Sequence, residues 1–218
     1  MYLTRFEINS ARRDTRRMLS SLQAMHAAVL ASFPSSDANQ GRILWRTDNS
    51  DTALWLYICS PAKPDLTHLV EQIGWPSRLT WQTSDYSPLL ENLTTGQRWG
   101  FRLTANPARS GKATPQATKT QRFGHVSASQ QQQWLIDRAE RCGFALATTS
   151  AGETDLIIHN RAVHRFQRGG ATVTLSAATY DGSLEVIDPG ALRSALTGGI
   201  GPAKAYGCGL MTLVKNEA

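Results

Sequence analysis

The chain has 218 residues, 41% of them hydrophobic. That composition suits a folded protein with a real core, in two small domains or one large one, and excludes wholesale disorder. A formal charge of +6 and an isoelectric point near 9.5 favour an anionic partner, nucleic acid or a membrane surface. Cys59, Cys142 and Cys208 are odd in number and widely spaced, with no CxxC pair. They indicate neither a disulfide framework nor a zinc site. Cys59 in an apolar run and Cys208 between two glycines read as small buried fillers, and a reducing cytoplasm is the simplest setting. No apolar run approaches the ~18 residues that span a bilayer, and the start MYLTRFEIN lacks the features of a signal peptide. A soluble, cytoplasmic protein is expected.

In chain order, Tyr2 to Ile8 alternates as a strand, and Arg12 to Phe33 reads as one helix stopped by Pro34. Ile43 to Arg46 and Ala53 to Ser60 are strands around the turn Asp48-Asn49-Ser50-Asp51. Pro64 to Ile73 is a short helix and Arg78 to Thr83 alternates again. The order βαββαβ is that of a ferredoxin-like domain. A strand from Arg98 to Ala105 follows, and Ala108 to Gly124 then holds almost nothing apolar. It reads as a linker or a loop that orders on a ligand. The second half has a helix from about Ser129 to Arg141 and strands at Leu156 to His164, Ala171 to Thr179 and Leu184 to Ile187. A helix from Pro189 to Leu196, a glycine-rich segment from Gly198 to Gly209 and a last strand from Leu210 to Val214 complete a looser second βαββαβ pattern. The expected class is α+β with two tandem ferredoxin-like domains: 1–110, a linker or flexible loop at 111–124, and 125–218.

Three places carry chemistry. On the first helix, Met18, Leu22, Met25, Val29 and Phe33 form an apolar stripe with His26 on its border. Arg12 and Arg16 lie further round the same side, with Arg13 and Arg17 beyond. A border histidine can be partly desolvated and still reach a ligand that the arginines attract. The pattern alone favours the plainer reading, a half-buried surface histidine beside a solvated arginine cluster. Second, the segment from Asn160 to Gly170 crowds Arg161, His164, Arg165 and Arg168 onto a hairpin with Phe166, either to follow RNA phosphates or as a solvated face. Third, the segment from Gly198 to Leu210 carries glycines that permit close backbone approach to a phosphate, with Lys204 as its best contact. It fits neither the P-loop nor the GxGxxG pattern, and a ligand-free helix-to-strand connection explains it as well. His159 and His164, five apart, are expected on opposite faces of a strand, and no metal site is expected.

Four segments occur together: MYLTRFEI, FRLTANP (Phe101 to Pro107), DGSLEVIDP (Asp181 to Pro189) and GIGPAKAYGCGLMTL (Gly199 to Leu213). In that order they resemble the CasE family of the RAMP superfamily, the repeat-processing endoribonucleases of type I-E CRISPR systems. The resemblance spans nearly the whole chain, and the closing motif is its most specific piece. It implies recognition of the repeat stem-loop of precursor CRISPR RNA. It also implies metal-independent cleavage at the 3′ base of that stem by 2′-hydroxyl attack, leaving a 2′,3′-cyclic phosphate. The product then stays bound, with the protein a subunit of Cascade. No membrane and no small-molecule cofactor are implied. The family's catalytic histidine follows a Met or Leu on the first helix, which here is Met25-His26.

Some relatives carry a tyrosine one turn before that histidine, where this chain has Gln23. Gln23 cannot act as acid or base at neutral pH. The second proton then falls to another group or to water, with Lys204 and Tyr206 as candidates, or the tyrosine is positional. The alternative function is an RNA-binding structural subunit with weak or no catalysis. In either reading Arg12, Arg13, Arg16, Arg17, Arg161, His164, Arg165, Arg168 and Lys204 are the expected RNA contacts.

Overall fold

Alternating side chains at the start of the chain build the first sheet. Phe6 and Ile8 face one way and Leu3 the other, as a pleated strand requires. The computed structural model describes residues 1–33, 41–50, 52–112, 114, 118, 120–168 and 171–215. Strands β1 (Tyr2–Ile8), β2 (Leu44–Asn49), β3 (Leu54–Ser60) and β4 (Trp81–Asp85) form a sheet of order β2-β3-β1-β4, every neighbouring pair antiparallel. Helices α1 (Arg13–Leu19), α2 (Leu22–Leu30) and α3 (Thr67–Ile73) cover one face through Met18, Met25, Val29, Leu69 and Ile73. A short helix, α4 (Ser87–Glu91), leads out.

The second sheet repeats the order. It comprises β5 (Arg98–Ala105), β8 (Phe144–Leu146), β9 (Leu156–Arg168), β10 (Ala171–Val186) and β11 (Met211–Lys215), arranged β11-β5-β10, with β8 and β9 in succession along the far edge of β10. Helix α5 (Ala128–Ala139) continues as a 3₁₀ turn, Glu140–Cys142, and α6 (Pro189–Gly198) precedes another, Lys204–Tyr206. The molecule is therefore two tandem ferredoxin-like folds. Leu44, Cys59, Tyr86, Leu90 and Leu93 belong to the same buried cluster as Phe101, Trp134 and Leu184, so the first sheet lends its second face to the other half's core.

Several elements differ from the expectation. The helix read over 12–33 is two helices, because Ser21 turns extended and caps α2 by accepting from the Ala24 amide at 3.2 Å. The apolar stripe survives the break, but Arg12 and Arg16 no longer share a helical face with His26. The segment 111–124, expected as a linker or flexible loop, contributes to a paired ribbon of β6 (Ala108–Lys112) and β7 (Thr120–Gly124); residues 113, 115–117 and 119 lie outside the described ones. Ala171–Thr179 and Leu184–Ile187, read as two strands, are one strand through Gly182. Any side chain at Gly182 would meet the Asp155 carbonyl at 2.3 Å.

Strands β9 and β10 run past β5 as a hairpin, pairing from Leu156–Gly182 to Arg168–Ala171. A bulge interrupts them, with Asn160 at φ 47°, a conformation asparagine tolerates. The extra residue reverses the facing expected for the two histidines. His159 pairs with Thr179 and His164 with Leu175, four apart on β10, so both face the same side. The cysteine reading holds for Cys59 and Cys208, whose buried thiols are pushed up to about 12.

Candidate functional site

His26 projects from α2 on the border of the stripe that buries Met25 and Val29, and it is half-buried. It lines a cavity of about 350 Å³ with Gln23, Ala27, Leu30, Gln167, Ala205 and Tyr206. Three elements meet there: α2, the tip side of the β9–β10 hairpin and the 3₁₀ turn of the glycine-rich loop. Gln23 Nε2 donates to the Gln167 carbonyl at 3.0 Å and ties the helix to the hairpin. The Phe166 and Tyr206 rings meet edge to face at 4.9 Å and tie the hairpin to the loop. Beneath them Leu22, Leu175, Ala177, Ala203 and Cys208 form a small apolar cluster. Sequence reasoning left Tyr206 unplaced, and the fold brings it to the His26 cavity.

The glycines of the loop serve packing. Gly199, Gly201 and Gly207 have φ of 78°, 80° and 74°. A Cβ on each would meet Leu44, Trp134 and Trp45 respectively at 2.8 Å. The loop is pressed against β2 on one side and α5 on the other. Its Ile200 amide donates to the Gly209 carbonyl at 2.9 Å, and the Gly209 amide donates to the Thr104 carbonyl at 2.6 Å. These amides are spent within the fold and do not cradle a phosphate.

The expected cationic residues separate into groups. Arg12 donates from Nη1 to the Val70 and Gly74 carbonyls, at 3.1 and 3.3 Å, and so caps the C-terminal end of α3. Arg13, Arg16 and Arg17 are exposed on α1, Arg17 only 4.0 Å from Asp14. Arg161 is held by Gln131 Oε1 at 2.8 Å and by the Val126 carbonyl, where β9 passes the start of α5. His164 is half-buried and Arg165 exposed on the hairpin. Arg168 lies at the end of β9, and its side chain falls outside the described residues. Lys204 does not line the His26 cavity. It lies in range of Arg42 and the Cys142 thiol, and burial followed by the Arg42 charge holds its amine below the ordinary lysine value. Among the described residues no three His, Cys, Asp or Glu side chains gather as a metal-binding group, and no helix is long and apolar enough to cross a membrane.

The family model described as CRISPR associated protein matches residues 1–215. The chain belongs to that family. A curated relative, the CRISPR-associated endoribonuclease Cse3 of Thermus thermophilus, is 28% identical over 221 residues, covering 98% of this chain and 99% of that one. A structure of Cse3 bound to 19 nt RNA matches with a TM-score of 0.82 at 26% identity, over 98% of this chain and 100% of that one. Thermus thermophilus Cse3 bound to an RNA representing a pre-cleavage complex matches with a TM-score of 0.80 at 26% identity, over 98% of each chain. The CasE resemblance read from the closing motif is borne out.

Sequence reasoning missed one set of residues within this family fold. Arg46 is 1% exposed. Its Nε and Nη2 donate to the two Asp48 oxygens at 2.7 and 2.8 Å, Nη1 to the Arg102 and Leu210 carbonyls at 2.9 Å, and Nη2 to Thr212 Oγ1 at 2.9 Å. Arg102 bonds both oxygens of Asp181 at 2.7 and 2.6 Å, and His159 Nε2 lies 2.9 Å from Asp181 Oδ2. This polar seam joins the two sheets. Burial works to raise the Asp181 carboxyl, but the Arg102 bonds and charge and then His159 hold it below the usual range. The available signal was strand parity: Leu44, Arg46 and Asp48 share one face, and that face turns inward.

Proposed function

We propose that the chain is an endoribonuclease that binds the repeat stem-loop of precursor CRISPR RNA and cuts at the 3′ base of the stem. The reading is carried by the position of His26, in a cavity walled by a helix, a basic hairpin and the glycine-rich loop. The likeness to Cse3 with RNA bound supports it. In the proposed reaction the 2′-hydroxyl loses its proton and its oxygen bonds to phosphorus. The bond from phosphorus to the 5′-oxygen breaks, and that oxygen gains a proton. The products are a 2′,3′-cyclic phosphate and a 5′-hydroxyl, and no metal takes part. His26 carries one of the two proton transfers, since imidazole titrates near neutrality. The Tyr206 hydroxyl, on the same cavity, is the candidate for the other. Gln23 keeps the positional part of the role by anchoring the hairpin.

Arg13, Arg16, Arg17, His164, Arg165 and Arg168 contact the RNA backbone. Arg161 and Lys204 contribute from the hairpin base and the loop, while Arg12 acts through the end of α3. The protein keeps its product and enters Cascade beside the other subunits. The test is single-turnover cleavage of a repeat hairpin in EDTA. Wild type should cut the ribose substrate to a cyclic phosphate end and leave intact the substrate bearing a 2′-deoxy at the scissile position. Cutting of the deoxy substrate would refute the mechanism. Tight binding without any cutting would leave the chain a structural RNA-binding subunit.

A further inference from the structure

One loop lines two cavities. Ala205 and Tyr206 border the His26 cavity, while Gly199, Ile200, Gly201 and Pro202 border a second one of about 400 Å³. Arg138, Arg141, Cys142 and Ser194 form its opposite wall, from the end of α5 and from α6. Arg138 is fixed there. Its guanidinium lies 4.3 Å over the Trp134 ring, and Nη1 donates to the Trp134 carbonyl at 2.9 Å. Trp134 is 2% exposed and occupies the space a side chain on Gly201 would need. Gly201 thus makes room for the indole that carries the Arg138 guanidinium, and most of the five guanidinium N–H groups are left for another acceptor.

Arg141 is exposed beside it, Lys204 lies on the side of Cys142, and Arg42 lies in range of Lys204. Among the described residues, no carboxylate comes within ion-pair distance of Arg42, Arg138, Arg141 or Lys204. Burial and then the Arg141 charge lower the Arg138 guanidinium, with Asp137 only partly opposing, and burial and then Arg42 lower Lys204. Positive charges gathered without a counter-charge are relieved by a bound anion. Arginine's planar fork suits phosphate oxygens.

We propose that this second cavity seats a backbone phosphate of the single-stranded RNA continuing from the repeat hairpin. The glycine-rich loop then lies between the scissile site and a second anchor. Gly201 and Ala205 are four residues apart, so their Cα atoms lie within about 15 Å, and a short stretch of strand reaches both cavities. The proposal rests on the endoribonuclease reading above.

The test compares a bare 2′-deoxy-blocked hairpin with the same hairpin extended by single-stranded RNA on its 5′ side, its 3′ side or both. Binding is measured by fluorescence anisotropy for wild type, Arg141→Ala, and Arg141→Ala combined with Arg138→Lys. Arg141 is exposed, so its single variant carries the test if the double variant unfolds at a lower temperature. An extension should tighten wild-type binding. The double variant should lose about tenfold on the extended RNA, with a salt slope reduced by about 0.7 for each lost phosphate contact. On the bare hairpin its affinity should match wild type. Equal weakening on bare and extended RNA, or none on either, overturns the second anchor. A wild type that fails to bind the bare hairpin overturns the endoribonuclease reading instead.

Discussion

The two halves meet in two chemically opposite places. At the seam every Arg46 guanidinium donor is used, its partner Asp48 also lies 3.8 Å from Arg102, and Arg46 is 1% exposed. At the His26 junction, the hairpin is tied down by the Gln23 hydrogen bond, the Phe166–Tyr206 contact and a thin apolar cluster, around an open cavity of about 350 Å³. The seam is a network of bonded cations and carboxylates, whereas the junction cavity is lined by His26, Gln23, Gln167 and Tyr206 beside Ala27, Leu30 and Ala205. A cation whose donors are saturated by protein is scaffold, because exposing it would strand buried partners. A cation left in an unshielded group is available to a ligand. The seam therefore joins the two sheets, and in the proposed function the junction is where the RNA is received.

The largest effect that would break this comparison is at the junction. His26→Ala should lower single-turnover cleavage by about 10²–10⁴-fold, the usual span for a lost acid–base group, with hairpin affinity near wild type. An equal collapse of affinity would make His26 a binding residue. At the seam, Arg46→Met strands Asp48 and two carbonyls, and should cost about 3–5 kcal/mol in urea unfolding. Arg16→Ala, exposed on α1, should change stability by less than about 0.5 kcal/mol while weakening RNA binding. Equal stability loss in the two arginine variants would erase the distinction. Gly207→Ala, which must adopt φ 74° and displace Trp45, should cost about 1–3 kcal/mol by thermal unfolding.

A smaller, pH-dependent effect sharpens the seam. The folded Asp181 carboxyl titrates below its unfolded value of about 3.9. Its stabilisation is present above that value and is lost as pH falls through the folded one. Because Asp181 is partly exposed, the contribution is no more than about 1 kcal/mol. Urea unfolding from pH 7 to pH 3 should show a shallower loss for Asp181→Asn than for wild type.

Much of this architecture was legible from alternation. The apolar parity of MYLTRFEI and the apolar run from Ala53 to Ser60 marked the first sheet, and the stripe through Met25 and Val29 placed His26 at a core border. The break at Ser21 was harder to read. A serine inside an amphipathic pattern looks helical until its side chain caps the next helix. The 108–124 ribbon was missed because exposed strands with little apolar content carry no period-two signal. The bulge at Asn160 was missed because one extra residue reverses facing without changing composition.

By itself the sequence determined the class, the repeated strand order, the histidine on the first helical stretch and, through its glycine-rich closing motif, the family. Those follow from local periodicity and from residue strings, which survive without knowledge of neighbours. Only the tertiary structure decided that the glycines make room for Leu44, Trp45 and Trp134, that Tyr206 reaches the His26 cavity while Lys204 does not line it, and that Arg46 is buried. These depend on contacts between residues far apart in the chain, where a side chain's role is set by what fills the space around it.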